Sequence, residues 1–311
     1  MRRIDITFSP IMEMLDEGLQ IYRRHFARFM ILAGLAALPT VLAVIVFVFM
    51  VEGRNFDFVF LLFLALGLVM LPVSFYIMAA LSRAALLAAA DKPVRLRRVL
   101  ALGPLRVLGM GCYGTFFLLV MTMLMSMFTS LGFCVIYVIF IAGFFALSSV
   151  ANVGVVGEAA SFLGGAAILF AFVVGYIASL VINGAVYGST VYALQPFAQE
   201  QLSFNQSMQR SFDLIGYRFG GNLLAFLCAS LVFGATALAA TLAVGVFVPL
   251  PILFLLGNDS VVAQAIAASA WIVAIAAAAP LLPIWMALLY KRRRAVREGE
   301  ELAAQLAALP R

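Results

Sequence analysis

Charge is scarce in this chain, and histidine scarcer still. Of 311 residues 11% are charged, three are cysteine, two are tryptophan and one is histidine. Each shortage excludes something. A soluble domain carries about 25% charged and roughly 45–50% apolar residues. Here 65% are hydrophobic, more than a water-facing fold can hide or display, so lipid is the expected solvent. The lone histidine, His25, stands among Arg23, Arg24 and Arg28 with no partner acid evident. That argues against a zinc site, which draws several ligands from His, Cys and carboxylates, and against a Ser-His-Asp triad. Cys112, Cys134 and Cys228 make no Cys-x-x-Cys pair and lie in apolar runs. They fit small buried hydrophobes better than a disulfide framework. The apolar runs hold no ionisable residue at mid-depth, which disfavours coupling to ions through a buried carboxylate. No catalytic residue, metal or cofactor is therefore expected. The net charge of +6 falls in clusters between apolar runs rather than on a soluble module. It indicates membrane orientation, not nucleic-acid binding.

What the chain has is long apolar runs. A span needs about 20 apolar residues. Spans are expected at 26–51, 57–82, 162–194 and 262–290, with two further runs, 107–150 and 218–256, that are long for one helix. Thr129, Ser130 and Gly132 could break the first, and Gly245, Pro249 and Pro251 the second. Each run is thus one long broken helix or two spans. Met1-Arg2-Arg3 is followed by an amphipathic, charged stretch at 9–25 rather than by a cleavable signal. The positive-inside rule favours six spans. With six, every lysine and arginine except Arg54 falls on the cytoplasmic side or at its span edges, together with both termini. The outer loops 52–56, 151–161 and 257–261 then carry Glu52, Glu158 and Asp259. Eight spans would move 195–217, with Arg210 and the nearby Arg218, to the outside.

An internal repeat sharpens the picture. At one constant offset Pro72 falls on Pro280, Met78 on Met286, Ala79 on Ala287, Leu81 on Leu289 and Arg83 on Lys291. Each copy has a proline well before a basic exit; a middle copy near 180–198 lacks that proline. Amphipathic stretches precede the span pairs. The first starts at Ser9-Pro10, an N-cap followed by proline in the first turn, with Ile11, Leu15, Leu19, Tyr22 and Phe26 on one face. Its acids Glu13, Asp16 and Glu17 come early and Arg23 and Arg24 late, as the helix dipole favours. The second, 92–106, is basic and interrupted by Pro104. The third opens with a capping box, Ser203 with Gln206, and has Phe204, Met208, Phe212, Ile215 and Phe219 on its apolar face. The fold expected is all-α and integral to the membrane. It has about six transmembrane helices as three repeated hairpins, each preceded by an interfacial amphipathic helix. One polytopic domain spans 1–298, and 299–311 form a short cytoplasmic tail.

Two residue sets are candidates for binding. On the fourth span Tyr176, Asn183, Tyr187 and Thr190 share a helical face. Asn183 is costly against lipid and should face protein or a cavity. The set could line a groove for a head group or small solute, or simply hydrogen-bond between helices. Gly184 and Gly188 on the same helix allow close approach, within the chain or to a second copy. The basic clusters containing Arg95, Arg97 and Arg98, and Arg292, Arg293 and Arg294, could attract anionic lipid head groups, or only fix orientation. Trp285 is expected to anchor in the interfacial belt, and Trp271 to lie in the interior or at the interface.

The exit of the last span, Leu289-Tyr290-Lys291-Arg292-Arg293-Arg294-Ala295-Val296-Arg297-Glu298-Gly299, resembles the membrane region of bacterial glycerophosphoryl diester phosphodiesterases and its stand-alone relatives. Those proteins often end with Leu-Tyr, a basic stretch and Glu-Gly. Val296 departs from the pattern where a second regularly spaced basic residue is common. The opening Ile21-Tyr22-Arg23-Arg24-His25-Phe26, and the apolar run reaching Leu38-Pro39, are similar too. The resemblance implies a polytopic module of the bacterial inner membrane. It does not carry the phosphodiesterase activity, whose domain depends on several histidines and acids, whereas this chain has one histidine and no soluble domain is expected in it. The expected function is a non-enzymatic membrane scaffold or accessory protein engaging lipids and other membrane proteins. The alternative is a transporter or passive permease for a small or lipophilic solute.

Overall fold

The structure, a computed structural model, describes residues 8–51, 56–101, 105–124, 126–127, 130, 155–200, 202–257 and 260–308. Among the described residues every regular element is helical. In chain order the first six are α1 (Ser9–Arg24), α2 (Phe26–Val51), α3 (Phe56–Ala88), α4 (Leu96–Val99), α5 (Leu105–Leu124) and α6 (Val155–Gln199). They are followed by α7 (Phe204–Gly216), α8 (Phe219–Ala240), a π-helical stretch (Thr241–Val246), α9 (Pro249–Leu256), α10 (Val261–Ala278) and α11 (Leu281–Ala308). Five stretches are long and apolar enough to cross a bilayer: Phe26–Phe49, Phe60–Ala88, Leu105–Leu124, Phe219–Leu256 and Val261–Gly299. Their outer faces display Leu35, Leu38, Leu42, Phe60, Leu119, Leu238 and Phe254. So broad an apolar belt is untenable against water. The chain is an all-α, multi-pass membrane protein.

Three helices form the centre. α3, α6 and α11 pack on one another, and α11 is buried without interruption from Leu281 to Tyr290. The other helices lie around them. α2 packs on α10, α8 on α6, and α5 on α3, where Gly111 meets Pro72 and Gly114 meets the Phe75 ring. The short elements repeat the pattern: α1 rests on α11, α4 on α3 and α7 on α6.

The run 218–256 is one helix with an interruption. α10 packs along α8, the π-helical stretch and α9 in turn. Gly245 sits in the π turn against the Trp271 ring, and Pro249 starts α9. Proline lacks the N–H that would continue the ladder, and a π turn absorbs the misfit. The last span is likewise broken, by a turn at 279–280 beside Pro280. Whether 107–150 is one span or two lies outside the described residues, as do the loops carrying Glu52 and Asp259.

Several local expectations are corrected. α1 is capped by Phe8, not by Ser9, whose hydroxyl instead donates to Glu13 Oε1 at 3.2 Å. Trp285 is not a belt anchor. It is fully buried and donates from Nε1 to the Leu15 carbonyl at 3.0 Å, with Gly18 leaving room for its ring; Trp271 is the half-exposed one. An indole is buried when its one donor finds a partner, and the α1 backbone supplies it. The capping box at Ser203 and Gln206 is present. Ser207, Ser211, Leu214 and Ile215 turn inward, while Phe204, Phe212 and Phe219 are exposed. In lipid an aromatic loses nothing by facing out, and the Ser211 hydroxyl has partners inside, Tyr113 and the Ala193 carbonyl. α11 continues as helix to Ala308.

The α7–α8 turn is held by Asn222. Its Nδ2 donates to the carbonyls of Leu214 (3.0 Å) and Tyr217 (2.9 Å) and approaches that of Ile215 at 3.3 Å, serving carbonyls that the end of α7 leaves unpaired. Arg218 enters α8 with φ 54°, a left-handed conformation rare for a residue with a Cβ.

Gly184 marks the closest approach of α6 and α8, because a Cβ there would run into Ser230 Oγ. At Gly188 the nearest atom, Leu282 Cδ2, would be 3.7 Å away, an ordinary contact. Gly184→Val is expected to destabilise the protein in detergent by about 1–3 kcal/mol through overpacking. Gly188→Ala should leave the thermal midpoint nearly unchanged. Equal midpoints for the two variants would contradict this packing.

Candidate functional site

Polar side chains in the bundle gather at one end, where α3, α6 and α11 leave the apolar belt. Ser82 and Gln195 are buried in the core there. Gln195 Nε2 donates to Ser82 Oγ at 3.0 Å and to the Val191 carbonyl at 2.8 Å. Ser82 Oγ donates to the Met78 carbonyl at 3.0 Å, with the Pro283 carbonyl of α11 at 3.4 Å. Gln199 Nε2 donates in turn to Gln195 Oε1. One polar knot therefore touches all three central helices. Serine and glutamine suit the task, since each offers donor and acceptor without a charge to desolvate.

One step further out, the end of α6 is capped by two arginines from other helices. Arg83 of α3 donates from Nε and Nη2 to the Ala198 carbonyl at 3.0 and 2.7 Å. Arg106 of α5 donates to the Phe197 carbonyl at 3.0 Å, its guanidinium 5.6 Å from the centre of the Phe197 ring. The last carbonyls of a helix carry partial negative charge and lack intrahelical donors, so cations are favoured there. On the other side of α6, Ser211 of α7 donates to the Ala193 carbonyl at 2.6 Å and bonds the Tyr113 hydroxyl of α5 at 2.7 Å.

The outermost layer is ionic. Glu200, just past α6, accepts from the Tyr290 hydroxyl and pairs with Arg294 at 3.1 Å. Arg294 also pairs with Glu298 at 2.6 Å, and Glu298 with Arg210 of α7 at 3.2 Å. Arg297 reaches Asp213 at 3.4 Å, and Arg292 reaches Glu17 of α1 at 2.6 Å and the Pro10 carbonyl at 3.0 Å. The basic tail of α11 thus ties α1, α6 and α7 together. Its pairs with Arg210 and Asp213 place the 195–217 segment at the same end of the bundle as the C-terminal cationic stretch.

The two candidate sets fare differently. Thr190 is buried and donates to the Val186 carbonyl of its own helix at 2.9 Å. Tyr187 is half-buried and donates to Met78 Sδ at 3.0 Å. Asn183 is exposed, in contrast to the inward orientation its polarity suggests. The Tyr176 side chain lies outside the described residues. In the basic set, Arg95, Arg97 and Arg98 are exposed and have no ion-pair partner among the described residues. Arg292 and Arg294 are bound to acids, and Arg293 turns between α6 and α8, its guanidinium against Gly221.

Ser82, Gln195 and Glu200 escaped the sequence reading, which had Arg83 only as a basic exit of its span and Arg106 only within the basic stretch 92–106. The signal was present in part: Gln195, Gln199 and Glu200 interrupt an otherwise apolar helix end. What the arrangement does chemically is bind helices to one another. Among the described residues no three His, Cys, Asp or Glu side chains group as metal ligands. His25, at the junction of α1 and α2, has its pKa lowered from 6.5 by partial burial, then by Arg28 and Arg24, with Asp91 opposing. Comparison with protein-family models, curated proteins and solved structures finds no match to this chain.

Two outcomes are expected. Gln195→Leu should destabilise the protein by about 1–3 kcal/mol, because it strands the polar groups it served. Ser82→Ala on that background should add less than it does alone, as thermal unfolding in detergent would reveal. The His25 ring should titrate below pH 6.5 by nuclear magnetic resonance, and Arg28→Gln should raise the midpoint. A folded-state pKa below the unfolded value means that protonation favours the unfolded chain, so stability declines as pH falls through about 6.5.

Proposed function

We propose that the chain is a six-span membrane module made of three hairpins around a pseudo-threefold axis. In this reading it serves as a scaffold or accessory protein and engages anionic lipids at its cationic end. The observation that supports it most is the cyclic packing. If α2–α3, α5–α6 and α8 to α11 are the hairpins, each amphipathic element rests on the second span of the preceding one: α4 on α3, α7 on α6, α1 on α11. The first spans follow the same rule, α5 on α3, α8 on α6 and α2 on α10. The correspondence of Pro72 with Pro280, and of Arg83 with Lys291, is what such a repeat requires. With the cationic residues of α3, α7 and α11 at one end, the positive-inside rule puts that end, and both termini, in the cytoplasm.

The resemblance to the membrane region of glycerophosphoryl diester phosphodiesterases gives the same picture. Leu289-Tyr290 and the basic stretch after it hold α11 to α6 and α7, a tethering role with no reactive group in it. The unbroken burial of Leu281–Tyr290 fills the middle of the bundle, where a transporter built on this architecture would need its path. That favours the scaffold over the permease.

Two measurements test the reading. Single cysteines replacing Gln209 on α7 and Ala295 on α11, in a chain without its native cysteines, should label from one side of the membrane, the cytoplasmic one; labelling from opposite sides ends the three-hairpin reading. In native mass spectrometry the purified chain should retain anionic phospholipid. Retention of neither lipid nor protein partners, together with solute flux in proteoliposomes, would favour the permease.

A further inference from the structure

Arg293 is the one arginine of the Arg292-Arg293-Arg294 cluster that turns into the protein. It is half-buried, and its Nη2 would lie 2.8 Å from a Cβ at position 221, so Gly221 at the start of α8 leaves the space it fills. Its Nε is sealed from solvent and donates to nothing among the described residues. Its electrostatic neighbours are Tyr192, Tyr217 and Arg218, with no carboxylate among them. Tyr192, on α6, is 1% exposed and packs its ring against Phe226 at 5.5 Å and Tyr290 at 6.1 Å, yet its hydroxyl also lacks a partner among the described residues. Glu200 in the adjoining network is committed to Tyr290 and Arg294.

A buried donor without an acceptor is costly, and a buried charge without a counterion more so. Two such groups from different helices, coupled electrostatically to each other and to a second arginine, are suited to receiving an anion. We propose that the wedge between α6, α8 and α11 binds a phosphate group, held by the Arg293 guanidinium and the Tyr192 hydroxyl with Arg218 at its mouth. Guanidinium is the side chain suited to phosphate, since its planar fork gives two parallel charge-assisted bonds. Arg293 belongs to the cationic stretch of α11, between Arg292 and Arg294, which pair with Glu17 and Glu200. A phospholipid or free phosphate could supply the group. The inference deepens the lipid-engaging reading above and rests on it, but it names one built site in place of a diffuse cationic surface.

The test uses the full chain, delipidated in neutral detergent, with thermal unfolding read as phosphatidylglycerol, diacylglycerol or inorganic phosphate is added. Phosphatidylglycerol is expected to raise the midpoint of the wild type, and diacylglycerol, which lacks the phosphate, is not. Arg293→Gln should weaken the effect at least tenfold in lipid concentration. Tyr192→Phe, which keeps the ring and its packing, should weaken it several-fold, and Arg293→Lys should fall between Gln and wild type. Arg97→Gln, in the exposed cluster, should behave as wild type. A midpoint shift by inorganic phosphate at equal concentration, abolished by the same variants, would assign the site to free phosphate. If Tyr192→Phe and Arg293→Lys respond to phosphatidylglycerol as wild type does, the site is refuted while the lipid-engaging module stands. If the wild type itself does not respond, both fall.

Discussion

A polar group held in hydrocarbon must find its partner inside the protein. The central contact of this structure is a solution to that constraint. α3, α6 and α11 meet where Ser82, Gln195 and the Pro283 carbonyl come together. Lipid gives helices little hydrophobic reason to associate, because tails are as apolar as leucine. Packing and polar ties must do it instead. The same need explains the bonds of Ser211 on α7, the burial of Trp285 against the α1 backbone, and the two arginines that close the end of α6.

Those ties are layered by depth. Neutral hydrogen bonds lie deepest, at Ser82 and Gln195. Guanidinium groups on helix-end carbonyls come next, with Arg83 and Arg106 on α6. Full ion pairs come last, at Glu200, Arg294, Glu298 and Arg210. The order follows the cost of desolvation, which is least for an amide and greatest for a separated charge. It also makes the charged end a rigid platform. α1 and α7 are bound to the last span through Arg292–Glu17 and Arg210–Glu298. Within that platform Arg293 stands out, since it is drawn inward and, among the described residues, has no acid such as its neighbours Arg292 and Arg294 each have.

Much of this was open to reading from the residues. The long apolar runs, the scarcity of charge and the Pro72/Pro280 correspondence led to an all-α polytopic chain, and Ser203 with Gln206 marked the start of α7. The helical spacing of Tyr176, Asn183, Tyr187 and Thr190 did not foretell their surroundings. Thr190 is buried and Asn183 exposed on the same helix, because a shared face says nothing of where along its length another helix covers it. Nor does the amphipathicity of α7 say whether lipid or protein takes its greasy face: Phe204 and Phe212 are exposed and Ile215 is buried.

The chain by itself determined its solvent, its helical class and the clustering of cationic residues at helix ends, because these depend on composition and on local period. Tertiary structure decided which helices form the centre, that Trp285 and not Trp271 is buried, and that Arg210 meets Glu298 across the α7–α11 contact. Such pairings join residues far apart in sequence. Their partners are set by packing, and no local pattern encodes them.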